Sequence, residues 1–215
     1  VVLIAVTVKL TVFGASGPTG QQVVDQAVGR GHEVTAVVTS TAPESRFPDE
    51  VDVVEANVYE GENIEETLNE STVVCNVIRH SKNSPPDYLT VCGAHILDAM
   101  EAAEVGRYLT VVPAAVQRDG EQFGVGESIG TSVFQLLRPT VTVDATNHVA
   151  DVTARDLNWT VIRVLRLTEG TTTRQYTTGN ISLGIGSVSY GDVAAFLLDC
   201  CDRGIYLRMQ PKIRT

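Results

Sequence analysis

The chain has 215 residues, 43% of them hydrophobic, with 26 acidic against 16 basic side chains and a net charge of −10. That is enough apolar material for one globular core, and so much negative charge excludes nucleic acid and anionic membranes as partners, because it repels both at long range. Only Lys9, Lys82 and Lys212 are lysines and the other basic residues are arginines, a balance that suits a salt-rich cytoplasm but also occurs in acidic mesophilic proteins.

The apolar start, Val1 to Val8, is too short to span a bilayer and lacks the basic residues and cleavage site of a signal peptide. A cytoplasmic protein is expected. Leu10 to Phe13 then reads as a buried parallel strand that breaks at Gly14. Thr19 to Val28 is a helix, with Pro18 in its first turn and Gly29 and Gly31 closing it. Glu33 to Val38 and Val51 to Glu55 are strands, rich in β-branched residues. Glu62 to Leu68 is a short helix, and Ser71 to Ile78 a fourth strand. After Pro85-Pro86, Tyr88 to Ala103 is a helix and Tyr108 to Val112 a fifth strand.

Residues 113–142 carry Gly120, Gly124, Gly126 and Gly130 and read as a long loop, a kind of segment that is usually functional. Asp144 to Arg155 is a helix, Trp159 to Val164 a strand, Ser187 to Ser189 extended, and Asp192 to Asp202 a last helix, with Ser189 and Asp192 at its start. Strands alternating with helices predict a single-domain α/β fold, a doubly wound and mostly parallel sheet covered on both faces. Cys75, Cys92, Cys200 and Cys201 have no metal-ligand spacing and read as buried small hydrophobes, so no metal is expected. Trp159 reads as core, Arg163 as a structural residue within its strand, and the charges from Glu62 to Glu70 as a solvated face.

The segment Gly14-Ala15-Ser16-Gly17-Pro18-Thr19-Gly20 lies between the first strand and the first helix. In that context three glycines are a dinucleotide-binding signature of the Rossmann type. Gly14 permits the tight turn, Gly17 lets the backbone approach a pyrophosphate, and Gly20 lets the helix pack against the sheet. Free N–H groups at the helix start favour the anion, and Ser16 and Thr19 supply hydroxyl donors. The second strand ends in Val38-Thr39-Ser40, without the carboxylate that would bind the ribose of NAD. Thr39, Ser40 and Arg46 are suited to a 2′-phosphate, which favours NADP over NAD.

These segments resemble the atypical short-chain dehydrogenase/reductases with an NAD(P)H-binding domain, which include the NmrA-like proteins and the biliverdin reductase B (flavin reductase) type. The resemblance is carried by Leu10 to Phe13 with the glycine loop, His32 to Val38, Leu157 to Arg163, Leu167 to Gly170 and Gly191 to Leu198, and runs from Lys9 to about Arg203. It implies that residues 1–8 are an N-terminal extension, that Asn57 and Val58 hold the adenine, and that Ile78 lies beside the cofactor. The chain departs from the family pattern after three strands: at Val77-Ile78-Arg79-His80, at Pro113-Ala114-Ala115 and at Val164-Leu165-Arg166. All three lie at the carboxyl ends of strands, where open α/β sheets bind ligands.

The superfamily's usual active site is a tyrosine with a lysine four residues on. Tyr59, Tyr88, Tyr108, Tyr176, Tyr190 and Tyr206 are followed at that spacing by no lysine, which disfavours an epimerase or dehydratase of nucleotide sugars. Hydride transfer needs no such pair when cofactor and acceptor are held in line. The expected activity is therefore NAD(P)H-dependent reduction of a small planar acceptor such as a flavin, quinone or tetrapyrrole, by a monomer or homodimer. Residues 113–142 and 164–190 would form the acceptor pocket. His80, Arg79 and Arg166 are the candidate proton donor or anion clamp, with His148 a weaker one, although a lone histidine is more often structural. The alternative is a non-catalytic NAD(P) sensor of the NmrA-like kind.

Overall fold

The computed structural model describes residues 7–39, 47–116, 125–184 and 186–215, with backbone only for 125–130. The first apolar run forms β1 (Lys9–Phe13) and leads through the glycine loop into α1 (Pro18–Gly29). β2 (Glu33–Val38), β3 (Asp52–Glu55), α2 (Ile64–Thr67), β4 (Val73–Asn76), α3 (Tyr88–Ala102) and β5 (Arg107–Pro113) follow. The second half holds α4 (Val125–Leu137), α5 (Pro139–Ala154), β6 (Asn158–Val164), β7 (Leu167–Thr168), β8 (Thr177–Gly179), β9 (Val188–Ser189), α6 (Tyr190–Asp202) and β10 (Lys212–Arg214).

Among the described residues one eight-stranded sheet runs in the order β3-β2-β1-β4-β5-β6-β10-β8, and β7 pairs with β9 apart from it. Every neighbouring pair in the large sheet is parallel except β10 with the edge strand β8. The chain moves outward from β1 to β2 and β3, then returns to the other side of β1 for β4, so the strand order reverses at β1 and opens a crevice there. Helices α1 and α6 pack together on one face and α3 and α5 on the other. Leu10 and Val12 of β1 join the first apolar cluster, and Phe13 joins the second, as the period-two alternation of a doubly covered strand requires. Val8 accepts a hydrogen bond from the Glu33 N–H at 3.1 Å and packs on the core.

The predicted fold class is the observed one. Residues 113–142 differ from expectation: they include α4 and the first turn of α5 rather than one long loop. Two glycines, Gly126 and Gly130, sit inside α4, and their poor helix propensity masked the apolar residues spaced at three and four along it. Helix α5 starts at Pro139, a residue preorganised for a first helical turn. Strands β7, β8 and β10 were not anticipated, because two or three residues are too few to show a period.

Cys75, Cys92 and Cys200 are buried, and burial pushes the Cys92 and Cys200 thiols up to about 12, which keeps them protonated and inert. Trp159 is core, and Arg163 is fully buried, donating from Nη1 to the Val116 carbonyl at 3.2 Å and from Nε to the Gln210 carbonyl at 3.3 Å. Ser189 caps α6 by accepting from the Asp192 N–H at 3.0 Å, while the Asp192 carboxylate accepts from the Thr173 and Arg174 N–H groups, both at 2.8 Å.

One buried polar chain crosses from β4 to α5. The Asn76 amide donates to the Tyr108 hydroxyl at 2.8 Å, and that hydroxyl donates to His148 Nε2 at 3.3 Å. The His148 ring lies against Gly93 of α3, where a Cβ would come within 2.1 Å of Nδ1. Burial pushes His148 down to about 4 from 6.5, so it is neutral near pH 7 and part of the core, not a proton donor at the crevice. The unfolded chain takes up this proton first as pH falls. Stability from His148 is therefore complete above about pH 6.5 and declines by about 1.4 kcal/mol per pH unit towards about pH 4. Urea unfolding between pH 7 and 5 should show that slope, and His148→Gln should flatten it.

Candidate functional site

The glycine loop is shaped by backbone crowding. Gly14 has φ +81°, and a Cβ on it would lie 2.8 Å from the Ile78 nitrogen, so the chain leaving β4 passes directly over the end of β1. A Cβ on Gly20 would lie 2.1 Å from the Gly14 carbonyl oxygen. The Gly17 N–H donates to that same oxygen at 3.0 Å, and Gln21 Nε2 donates to the Ser16 carbonyl at 2.8 Å. Gly17 has ordinary extended backbone and forms the N-cap of α1, without a side-chain cap and without an acidic residue in the first turn. The loop is thus held by its own contacts and leaves the positive end of the helix free to face an anion.

That end opens into a groove of about 320 Å³ along the carboxyl ends of β1, β2, β3 and β4. Gly14, Ser16, Gly17 and Pro18 form its floor; Thr39, Asn57 and Val58 line one end, and Ile78, Arg79 and His80 the other. Thr19 and Gly20 are buried beneath the loop instead of lining the groove. Ser40 and Arg46 lie outside the described residues. Among the described residues no carboxylate lines the groove, in a chain of net charge −10. The amino ends of the same strands show the opposite pattern, a cavity lined by Glu33, Asp52, Glu66 and Glu70 with Lys9. Acidic side chains line the cavity at the amino ends, and the described lining of the groove at the carboxyl ends offers a polyanion no like charge.

The groove walls are positioned by specific bonds. The Asn57 carbonyl accepts from the Glu62 N–H at 3.0 Å, and the Val58 carbonyl accepts from His95 Nδ1 at 2.9 Å. The Ile78 N–H donates to Asn76 Oδ1 at 3.1 Å, which ties the exit of β4 to the buried polar chain. Tyr88 also lines the groove and stacks on Tyr59 with ring centroids 5.7 Å apart. In the sequence Tyr88 reads as a helix start and as a tyrosine without the following lysine, and no local signal places it at the groove.

The largest surprise is Asp144. Its carboxylate is buried on α5 yet caps α3, accepting from the Leu89 N–H at 2.7 Å, the Thr90 N–H at 2.9 Å and the Thr90 hydroxyl at 2.6 Å. It also accepts from His80 Nε2 at 2.7 Å. The ring is thereby oriented, with Nε2 committed to the carboxylate. No sequence motif announces this pair, because 64 positions separate its members. Arg79 donates from Nη1 to the Tyr190 hydroxyl at 3.3 Å, with its guanidinium carbon 5.8 Å from that ring's centroid. Arg79 and His80 also line a second cavity of about 560 Å³, walled by Val133, Phe134, Leu137 and Leu165 and reached by Arg166. Arg166 is exposed and absent from the first groove.

A doubly wound sheet with a glycine loop at its switch point defines a dinucleotide-binding protein of the Rossmann class. A protein-family profile described as NAD(P)H-binding matches residues 14–203, and the chain belongs to that family. No curated protein matches the chain in sequence at a significant level. Among solved structures it is similar to a short-chain dehydrogenase/reductase from Veillonella parvula in complex with NADP, with TM-score 0.80 and 17% identity over 98% of this chain and 95% of that one. It is similar to a protein from Streptococcus pneumoniae provisionally named an NADH-flavin reductase, with TM-score 0.72 and 22% identity over 96% and 99% of the two chains. It is also similar to a provisionally named NAD-dependent epimerase/dehydratase from Bacillus halodurans, with TM-score 0.78 and 17% identity over 97% and 94%. At these identities the likenesses show the shared fold. No helix among the described residues is long and apolar enough to cross a membrane.

Removing the Asp144 carboxylate leaves two N–H groups at the start of α3 and the His80 ring without their acceptor. Asp144→Ala should cost about 2–4 kcal/mol in urea unfolding. His80→Gln, which leaves the cap in place, should cost about 1 kcal/mol or less.

Proposed function

We propose that the chain is an NAD(P)H-dependent reductase of a small planar acceptor. The observation that carries this reading is the pair of adjoining cavities. A groove with no carboxylate among its described lining residues lies over the glycine loop, an apolar chamber lies beside it, and Arg79 and His80 line both. The groove fits a dinucleotide: at Gly17 a Cβ would come within 3.3 Å of the Gly14 oxygen, and any larger side chain would extend from the N-cap position that the phosphates would approach.

In this reading Gly14, Ser16 and Gly17, with Pro18 opening the helix, hold the pyrophosphate. Thr19 and Gly20 support the loop from below. Thr39, with Ser40 and Arg46, receives the 2′-phosphate of NADP, the preferred cofactor, since no acid closes β2. Asn57 and Val58 flank the adenine, and Ile78 flanks the nicotinamide end. The bound cofactor would supply a hydride, two electrons and one hydrogen, to the acceptor. The proton that completes the reduction comes from His80, whose ring Asp144 holds in place. Segments 113–142 and 164–190 contribute Pro113, Phe134, Val141, Leu165 and Gly186 to the chamber. The burial of three of the four cysteines suits a reducing cytoplasm.

Calorimetric titration should show NADPH binding more tightly than NADH. Gly17→Glu should weaken NADPH binding at least about a hundredfold with the fold retained, because it places a carboxylate where the phosphates would sit. His80→Gln should lower kcat by about a hundredfold and leave cofactor affinity in place. Equal affinity for the two cofactors would remove the NADP preference. Tight NADPH binding with no oxidation by any flavin or quinone would overturn the reductase reading in favour of a sensor, which the missing tyrosine-lysine pair already suits.

A further inference from the structure

The second cavity has an unusual charge. Its walls are Val133, Phe134 and Leu137 from α4, Val141 from α5 and Leu165 from the β6–β7 link, and its charged lining residues are Arg79, Arg138 and Arg166, with His80 between the two cavities. Among the described residues no carboxylate lines it, although acids outnumber bases by 26 to 16 in the chain. Elsewhere Arg30 pairs with Asp199 and Asp202, Arg155 with Asp98, Glu101 and Asp151, and Arg208 with Asp156. Among the described residues, the guanidinium groups of Arg138 and Arg166 have no hydrogen-bond or ion-pair partner. They come from two separate segments, the α4–α5 junction and the link after β6, and the fold brings them to one chamber with Arg79 from the exit of β4.

The apolar wall is also incompletely covered. Val133 is 50% and Leu137 is 70% exposed. A volume of about 560 Å³ lies within the range of small-molecule sites. A chamber with apolar walls and a cationic rim matches a ligand with an apolar ring system and an acid group at its edge. The rings would cover Val133 and Leu137, and the acid would draw the planar donors of the arginines, which suit carboxylate, sulfonate and phosphate alike.

We infer that the acceptor site selects planar compounds that bear an acid group, with Arg138 and Arg166 as its specificity-determining residues and Arg79 beside the reacting end. The inference rests on the reductase reading for the word acceptor, but the binding it asserts does not require turnover.

The test compares matched probes, riboflavin against its phosphate ester FMN and naphthoquinone against naphthoquinone sulfonate. Binding of the flavins is read by fluorescence quenching without NADPH, and turnover of all four by NADPH oxidation. The acid-bearing member of each pair should be favoured at least about tenfold, in dissociation constant for the flavins and in KM for the quinones, and added salt should erode the advantage. In Arg138→Gln and Arg166→Gln the ratio should fall to about twofold or less, while Arg203→Gln, an exposed arginine at the end of α6, should leave it intact. Equal binding of acid and neutral probes, or an advantage that survives both substitutions, would overturn the inference. Arginine-dependent binding of FMN without NADPH oxidation would sustain it and overturn the reductase reading. Oxidation by neutral acceptors alone would do the reverse.

Discussion

The backbone contact between the ends of β1 and β4 governs the geometry around it. Gly14 turns with a positive φ under the Val77–Ile78 peptide, and Gly20 brings α1 against the Gly14 carbonyl, each so close that a single Cβ would not fit. Strand order reverses at this place, so the crevice that any doubly wound sheet leaves at its switch point is here tightened into a defined groove. The Ile78 amide continues the contact inward through Asn76 and Tyr108 to His148. A displacement of the β4 exit would disturb both the loop and a buried polar chain whose members have few alternative partners.

A second constraint acts from the opposite side of the crevice. Asp144 belongs to α5, yet its acceptor capacity is spent on the first turn of α3 and on His80. Burying a carboxylate is costly unless every oxygen is satisfied, and here several donors converge on it. One residue therefore couples helix placement on that face of the sheet to the orientation of the imidazole between groove and chamber. The charge pattern adds a third layer. Acidic side chains line the amino edge of the strands, while the cavities at the carboxyl edge present helix dipole, arginine and no carboxylate among their described lining residues. In an acidic chain such an edge attracts anions by contrast with its surroundings.

Much of this was legible from residue order. The glycine loop, β1, β2, α1, α3 and α6 follow from apolar runs, capping residues and glycines whose meaning is local. Thr39, Asn57, Val58, Ile78 and Arg79 reach the groove because a parallel sheet sends each strand's carboxyl end to the same edge. Other features resisted. Helix α4 was hidden by glycines that weaken its intrinsic propensity, and β7, β8 and β10 are too short to carry a period. His148 looked like a candidate donor but faces Tyr108 and Gly93 within the core.

By itself, then, the sequence determined the fold class, the glycine loop between β1 and α1 and the absence of a tyrosine-lysine pair, because each depends on neighbours along the chain or on simple spacing. Tertiary structure decided that Asp144 meets His80, that Arg138 joins Arg79 and Arg166 around one chamber, and that Thr19 and Gly20 lie under the loop rather than in the groove. The first two relations join residues tens of positions apart. They are set by packing of whole helices against the sheet, and no local pattern of residues encodes that packing.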